Sequence, residues 1–101
     1  MDMPKSVKVG PHVYSVLRKL KSEMPNDLGS CDSTSLQIWV RHRLKKSKAA
    51  EILIHETIHA CLHSIANGGS HNEEEAFVEG LSPMLLQVIQ DNPGLLAYLT
   101  Q

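Results

Sequence analysis

The spacing of apolar positions along the chain shifts from a period near two to a period near four at about Ser47. Val7 and Val9, then Val13, Val16 and Leu17, flank Gly10 and Pro11, so residues 5–19 are predicted to open the chain as a hairpin. Residues 21–35 hold Pro25, Asn26, Asp27, Gly29 and several serines, and are expected to be mostly loop and turn. Leu36, Gln37, Ile38, Trp39, Val40 and Arg41 are rich in β-branched and aromatic side chains with half-alternating polarity. They predict a partly covered strand at or near a sheet edge. Ile54, Ile58, Cys61 and Ile65 then recur at helical spacing, so a helix is predicted from an N-cap at Ser47 to about Ala66. Asn67, Gly68, Gly69 and Ser70 would stop it. A second helix should begin near Asn72 with Phe77, Leu81, Leu85 and Val88 as its apolar stripe and a kink at Pro83. Asn92 followed by Pro93 reads as an N-cap and first helical residue, opening a short C-terminal helix through Leu95, Leu96 and Leu99. The class is α+β: a small N-terminal sheet packed on a helix, a second helix, and a short third one.

Composition adds limits rather than direction. The 101 residues give room for one domain, residues 1–101, with one modest core, and an aromatic fraction of 4% leaves aliphatic side chains to fill it. A formal net charge of -1 favours no partner class. It conceals a basic run at Arg41, His42, Arg43, Lys45, Lys46 and Lys48 and an acidic one at Glu73, Glu74 and Glu75. The first residues lack the apolar run of a secretory signal and no stretch approaches the roughly 20 apolar residues of a membrane span, so a cytoplasmic location is expected. Cys31 and Cys61 are then free thiols, Cys61 as a small buried hydrophobe and Cys31 in a surface turn.

The chemistry lies in His55-Glu56-Thr57-Ile58-His59. Residues four apart on a helix share a face about 6 Å apart, so His55 and His59 can both aim a ring nitrogen at one ion. Their face is expected opposite the Ile54, Ile58, Cys61 and Ile65 stripe. Zinc lowers the pKa of a bound water to about 7, and a neighbouring carboxylate, here Glu56, can take its proton and hand it to a leaving amine. That division of labour explains why the motif uses these residue types at this spacing.

A catalytic zinc takes three protein ligands and leaves one position open. His63 continues the same face but sits about 12 Å along the helix from His55, and is expected to line the cleft. Glu75 is the favoured third ligand, because the phase set by Phe77 and Leu81 groups it with Glu79 and Ser82. Glu79 would then accept a hydrogen bond from a ligand histidine, while Glu73 and Glu74 stay solvated and favour the helix dipole. His71 is the other candidate.

These residues resemble the thermolysin-type zincins, in which a helix with His-Glu-X-X-His is followed by a helix supplying a glutamate; Glu75-Ala76 and Glu79 match that pattern. The chain is similar, over most of its length, to the very small metallopeptidase-like proteins of bacteriophages and prophages related to the ImmA/IrrE metallo-endopeptidases. The likeness runs from the Gly10 hairpin through Gly29 and Asp32, Ile38-Trp39-Val40 and the histidine motif to Asp91-Asn92-Pro93. The resemblance implies a minimal zincin core, a zinc ion, and a peptide or protein substrate laid along the edge strand at Ile38 and Arg41. Pro83 and the short chain depart from the family. Tyr14, His42 and His63 are the candidates for stabilising an oxyanion. Two other readings stand beside the peptidase: a zincin scaffold that grips a host or phage protein without turnover, and nucleic-acid binding through the basic run.

Overall fold

A computed structural model describes residues 2–64 and 71–101. Strands β1 (Ser6–Val9), β2 (His12–Lys19), β3 (Gly29–Asp32) and β4 (Gln37–Arg41) are followed by helices α1 (Lys46–Ser64), α2 (His71–Asp91) and α3 (Pro93–Leu99). The α+β architecture with a short C-terminal helix follows the expectation from the sequence. β1 and β2 form the hairpin, and Gly10 has φ of +56° at the first of its two loop residues, the position that a II′ turn gives to glycine.

The sheet order is β1-β2-β4-β3, with β2 and β4 parallel and the other two pairs antiparallel. β4 is therefore an interior strand. The predicted edge position of the Ile38 to Arg41 strand is corrected: both flanks of β4 are hydrogen-bonded, and the outer strands are β1 and, next to β4, β3. This strand arises in a stretch expected to be loop. It carries no apolar alternation and owes its conformation to pairing with β4. The carboxylate of Asp32 stabilises the connecting turn by accepting hydrogen bonds from the Thr34 and Ser35 amides at 2.9 and 3.2 Å.

One face of the sheet carries the core. Val9, Tyr14, Val16, Ile38 and Val40 alternate inward and meet Ala60 of α1, with Ile52 and Leu53 packed against them. On the other face Leu17 pairs in register with Trp39, whose ring lies 4.4 Å beneath the Lys19 ammonium. The side of α1 on the sheet is thus Ala49, Leu53, Glu56 and Ala60, not the Ile54, Ile58 and Cys61 stripe. Ile58 is buried outside that cluster, and Cys61 is exposed, contrary to its expected burial. Alanines at two of the sheet-facing positions let helix and sheet approach closely enough to enclose a charged residue between them. Ile65 and the glycine stop of α1 lie outside the described residues. The helix begins at Lys46, so Ser47 falls within its first turn instead of capping it.

Gly29 is where β3 and α1 come closest. A Cβ there would lie 2.5 Å from Ile52 Cγ2 and 3.1 Å from both Glu56 Oε2 and the Trp39 carbonyl oxygen. Gly29→Ala is expected to destabilise the fold by about 1–3 kcal/mol, the usual range for overpacking. Urea unfolding measures this, and an unchanged midpoint would mean that strand and helix separate freely.

α2 packs on α1 and α3 and on none of the strands. Its buried positions are Val78 and Ser82, whose hydroxyl donates to the Val78 carbonyl at 2.6 Å, while Phe77 is exposed. The apolar stripe led by Phe77 is corrected by about one residue of rotation; Leu81, Leu85 and Val88 are only half-buried. α2 runs through Pro83 to Asp91, and the carbonyl deprived of its donor belongs to Glu79 on an exposed face. Asn92 occupies the N-cap position of α3 and Pro93 opens the helix, as expected, but the Asn92 side chain makes no cap hydrogen bond; its amide donates to the Val88 carbonyl at the end of α2. No described helix is long and apolar enough to cross a membrane.

Candidate metal centre

Helical spacing on α1 places the His55 and His59 rings side by side, with centroids 5.0 Å apart. The first turns of α2 lie across them. Glu75 Oε1 is 3.0 Å from His55 Nε2, and Glu75 Oε2 is 2.9 Å from His59 Nε2. One ligand atom from each of His55, His59 and Glu75 falls within a 4.8 Å sphere of mutual separation, the spacing of a site that can hold a metal ion. These are the three residues expected from the sequence.

The donor set itself argues for a cation. His59 faces carboxylates on both nitrogens, since its Nδ1 is 2.8 Å from Glu74 Oε2. A neutral imidazole offers one N–H and one lone pair, so only one of these contacts is a hydrogen bond. With Nδ1–H donated to Glu74, the Nε2 lone pair points toward Glu75, and a positive charge between them turns repulsion into ligation. The same carboxylate receives Nε2 of His55. Two atoms each about 2.1 Å from one tetrahedral zinc are roughly 3.4 Å apart, so the three groups fit such an ion with small outward adjustments.

Glu74, expected to be solvated, is the carboxylate that orients a ligand histidine, and it also approaches His63 Nε2 at 3.7 Å. Glu79, expected in that role, is exposed and one turn farther on. The reason is the rotation of α2: with Val78 and Ser82 inward, Glu74 and Glu75 share the face toward α1 and Glu79 turns away. Glu74→Gln is expected to weaken metal binding by about 10- to 100-fold, as loss of an orienting partner does, and Glu79→Gln to leave it unchanged. Competition with a calibrated chelator distinguishes the two, and equal affinities would reverse the assignment.

Glu56 is buried beneath β3, with Oε2 4.0 Å from His55 Nε2. Burial, reinforced by the charges of Glu75 and Asp27 and opposed by His59, pushes its carboxyl up to about 7. A divalent cation nearby favours the carboxylate and works against that rise. The group thus sits where small changes in local charge move its proton, which suits a general base.

The centre opens into a cavity of about 520 Å³. Its walls include Asp27, Gly29, Ser30 and Cys31 from the β3 edge and its approach, facing His55, Glu56, His59, His63, Glu74 and Glu75. His63 lines the cleft as expected. Cys31 lies in β3 and packs half-buried against the core, so the turn assignment is corrected; burial, with Glu56 and Asp32 nearby, pushes its thiol up to about 12. Tyr14 is a buried core residue and is not among the residues that line the metal cavity. His71 opens α2, and its side chain lies outside the described residues. Arg41 of the basic run is structural: its guanidinium donates to the Met24 and Pro25 carbonyls at 2.9 and 3.2 Å. Sequence reasoning missed Glu74, Asp27 and the β3 wall.

Comparison with protein-family models, curated proteins and solved structures found no match, so the functional reading rests on this chain's own residues.

Proposed function

We propose that this protein is a zinc-dependent metallopeptidase, a minimal zincin of the thermolysin-like kind, working in a reducing cytoplasm. The observation that carries the reading is a three-residue ligand set, His55, His59 and Glu75, opening on a cavity beside the buried carboxylate of Glu56. A structural zinc is closed by four protein ligands, whereas three with an open side are the arrangement of catalytic sites. Cys31 and His63 line the cavity without joining the ligand group among the described residues.

His55, His59 and Glu75 would hold a zinc ion, which would supply Lewis-acid polarisation when bound. Glu56 Oε2 takes the proton from the attacking water and later delivers it to the departing amine. Glu74 holds the Nδ1 proton of His59, fixing the tautomer that leaves Nε2 for the ion. The substrate lies extended along the unpaired side of β3, adding a strand to the sheet; this edge takes the place of the Ile38 and Arg41 strand.

The test is to incubate metal-loaded protein with a complex peptide library and map new termini by mass spectrometry. Products that vanish with chelator and return with zinc are expected. A library without metal-dependent cleavage overturns the peptidase reading.

A further inference from the structure

The cavity at the metal centre is walled by four carboxylates, those of Asp27, Glu56, Glu74 and Glu75, and by no lysine or arginine. Three of the four are engaged with the histidines of α1. Asp27 is not: it is exposed, on the cleft wall two residues before the free edge strand β3, and makes no hydrogen bond or ion pair with any described residue. It lines the same cavity as Glu56, at which its charge is felt. Even with a divalent cation bound, and the histidines neutral, four negative charges leave an excess of two on the cleft.

Asp27 is also held in place. Its loop is fastened on one side by the Arg41 guanidinium, which donates to the Met24 and Pro25 carbonyls, and on the other by the Arg41 amide, which donates to the Leu28 carbonyl at 2.9 Å. Met24 is buried, and Glu23 Oε1 accepts a hydrogen bond from the Leu20 amide at the loop's start. A pinned backbone on both sides limits the region the carboxylate can sample, which lowers the ordering cost of meeting a ligand charge.

Resting on the peptidase reading, the geometry points to Asp27 as a specificity-determining residue that selects a lysine or arginine side chain of a peptide bound along β3. At the far end of β3 a second cavity of about 320 Å³, lined by Pro11, His12, Tyr14, Ser33 and Ser64, shares His63 with the first. The six steps along the seven residues from Asp27 to Ser33 span about 20 Å when extended, so a peptide of about six residues covers the edge with its basic side chain at the Asp27 end.

The experiment uses zinc-loaded Glu56→Gln protein, which retains the ligands, and fluorescein-labelled hexapeptides carrying Lys, Gln or Glu at one position, scanned through all six. At one end position Lys is expected to bind about fivefold tighter than Gln, the reach of an exposed ion pair, and the preference should fade with salt. Asp27→Asn in this background should abolish the preference and Asp27→Lys should reverse it toward Glu. Equal discrimination with and without Asp27, or no binding of any peptide, overturns the assignment. Digestion of the same peptides by the wild type separates the two readings. Charge-selective binding without cleavage sinks the peptidase and leaves Asp27 in its role, whereas cleavage indifferent to residue 27 sinks the role alone.

Discussion

Glu56→Gln is expected to keep the fold and the metal while hydrolysis falls by about 10²- to 10⁴-fold, the usual contribution of a general base. The substitution is nearly isosteric, and Gly29 leaves the pocket for that carboxyl unchanged, so no repacking accompanies it. It also removes a buried charge whose cost is visible in the carboxyl being pushed up to about 7, so the melting temperature should not fall. The loss should appear in kcat and in kcat/KM alike, because the proposed mechanism has Glu56 move a proton in the transition state and Glu56 is not among the three residues that could hold the metal. Zinc content, thermal unfolding and single-turnover rates on one preparation check all three. A variant that retains a tenth of the rate would leave Glu56 without the role.

Glu75→Ala should have the largest effect on the metal. Its two carboxylate oxygens meet both Nε2 atoms, so truncation removes a ligand and leaves two histidines from a single helix. Affinity for zinc is expected to drop by more than about 100-fold, beyond the range typical of orienting partners such as Glu74. In the wild type, zinc at 100 times its dissociation constant stabilises the folded protein by about 2.7 kcal/mol. That increment should vanish in the variant, measured as the difference between melts with zinc and with chelator. Stoichiometric zinc retained by Glu75→Ala would move the third ligand to His71.

The helical part of the site was legible because its residues lie one turn apart and the α-helix converts that spacing into proximity. His55, His59 and Glu56 follow from one five-residue motif, and Glu75 from the need for a third ligand near the start of the next helix. Details that depend on tertiary packing were not. Glu74 and Glu79 are one turn apart or less from Glu75, and only the packing of Val78 and Ser82 against α1 decides which of them faces a histidine. Apolar counting favours the Phe77 side because a helix on a two-helix surface, away from the sheet, needs little hydrophobic area and leaves Phe77, Met84 and Ile89 exposed. β3 was invisible for a different reason: Gly29, Ser30, Cys31 and Asp32 have turn-forming character, and their strand is imposed by β4. Without β3, the edge was assigned to the most strand-like segment, which is in fact the sheet's interior.

The arrangement of α2 gives the ion a second duty. Since that helix touches α1 and α3 but no strand, the sheet with α1 forms one packed body, and α2 with α3 is joined to it along a single helix pair. Glu74 and Glu75 form the polar part of that seam. A cation bound there would act as a rivet between the two bodies, so the metal concentration around the protein is expected to set how firmly its C-terminal half is attached. With an ion held by His55, His59 and Glu75, cooperativity of folding would then depend on metal supply.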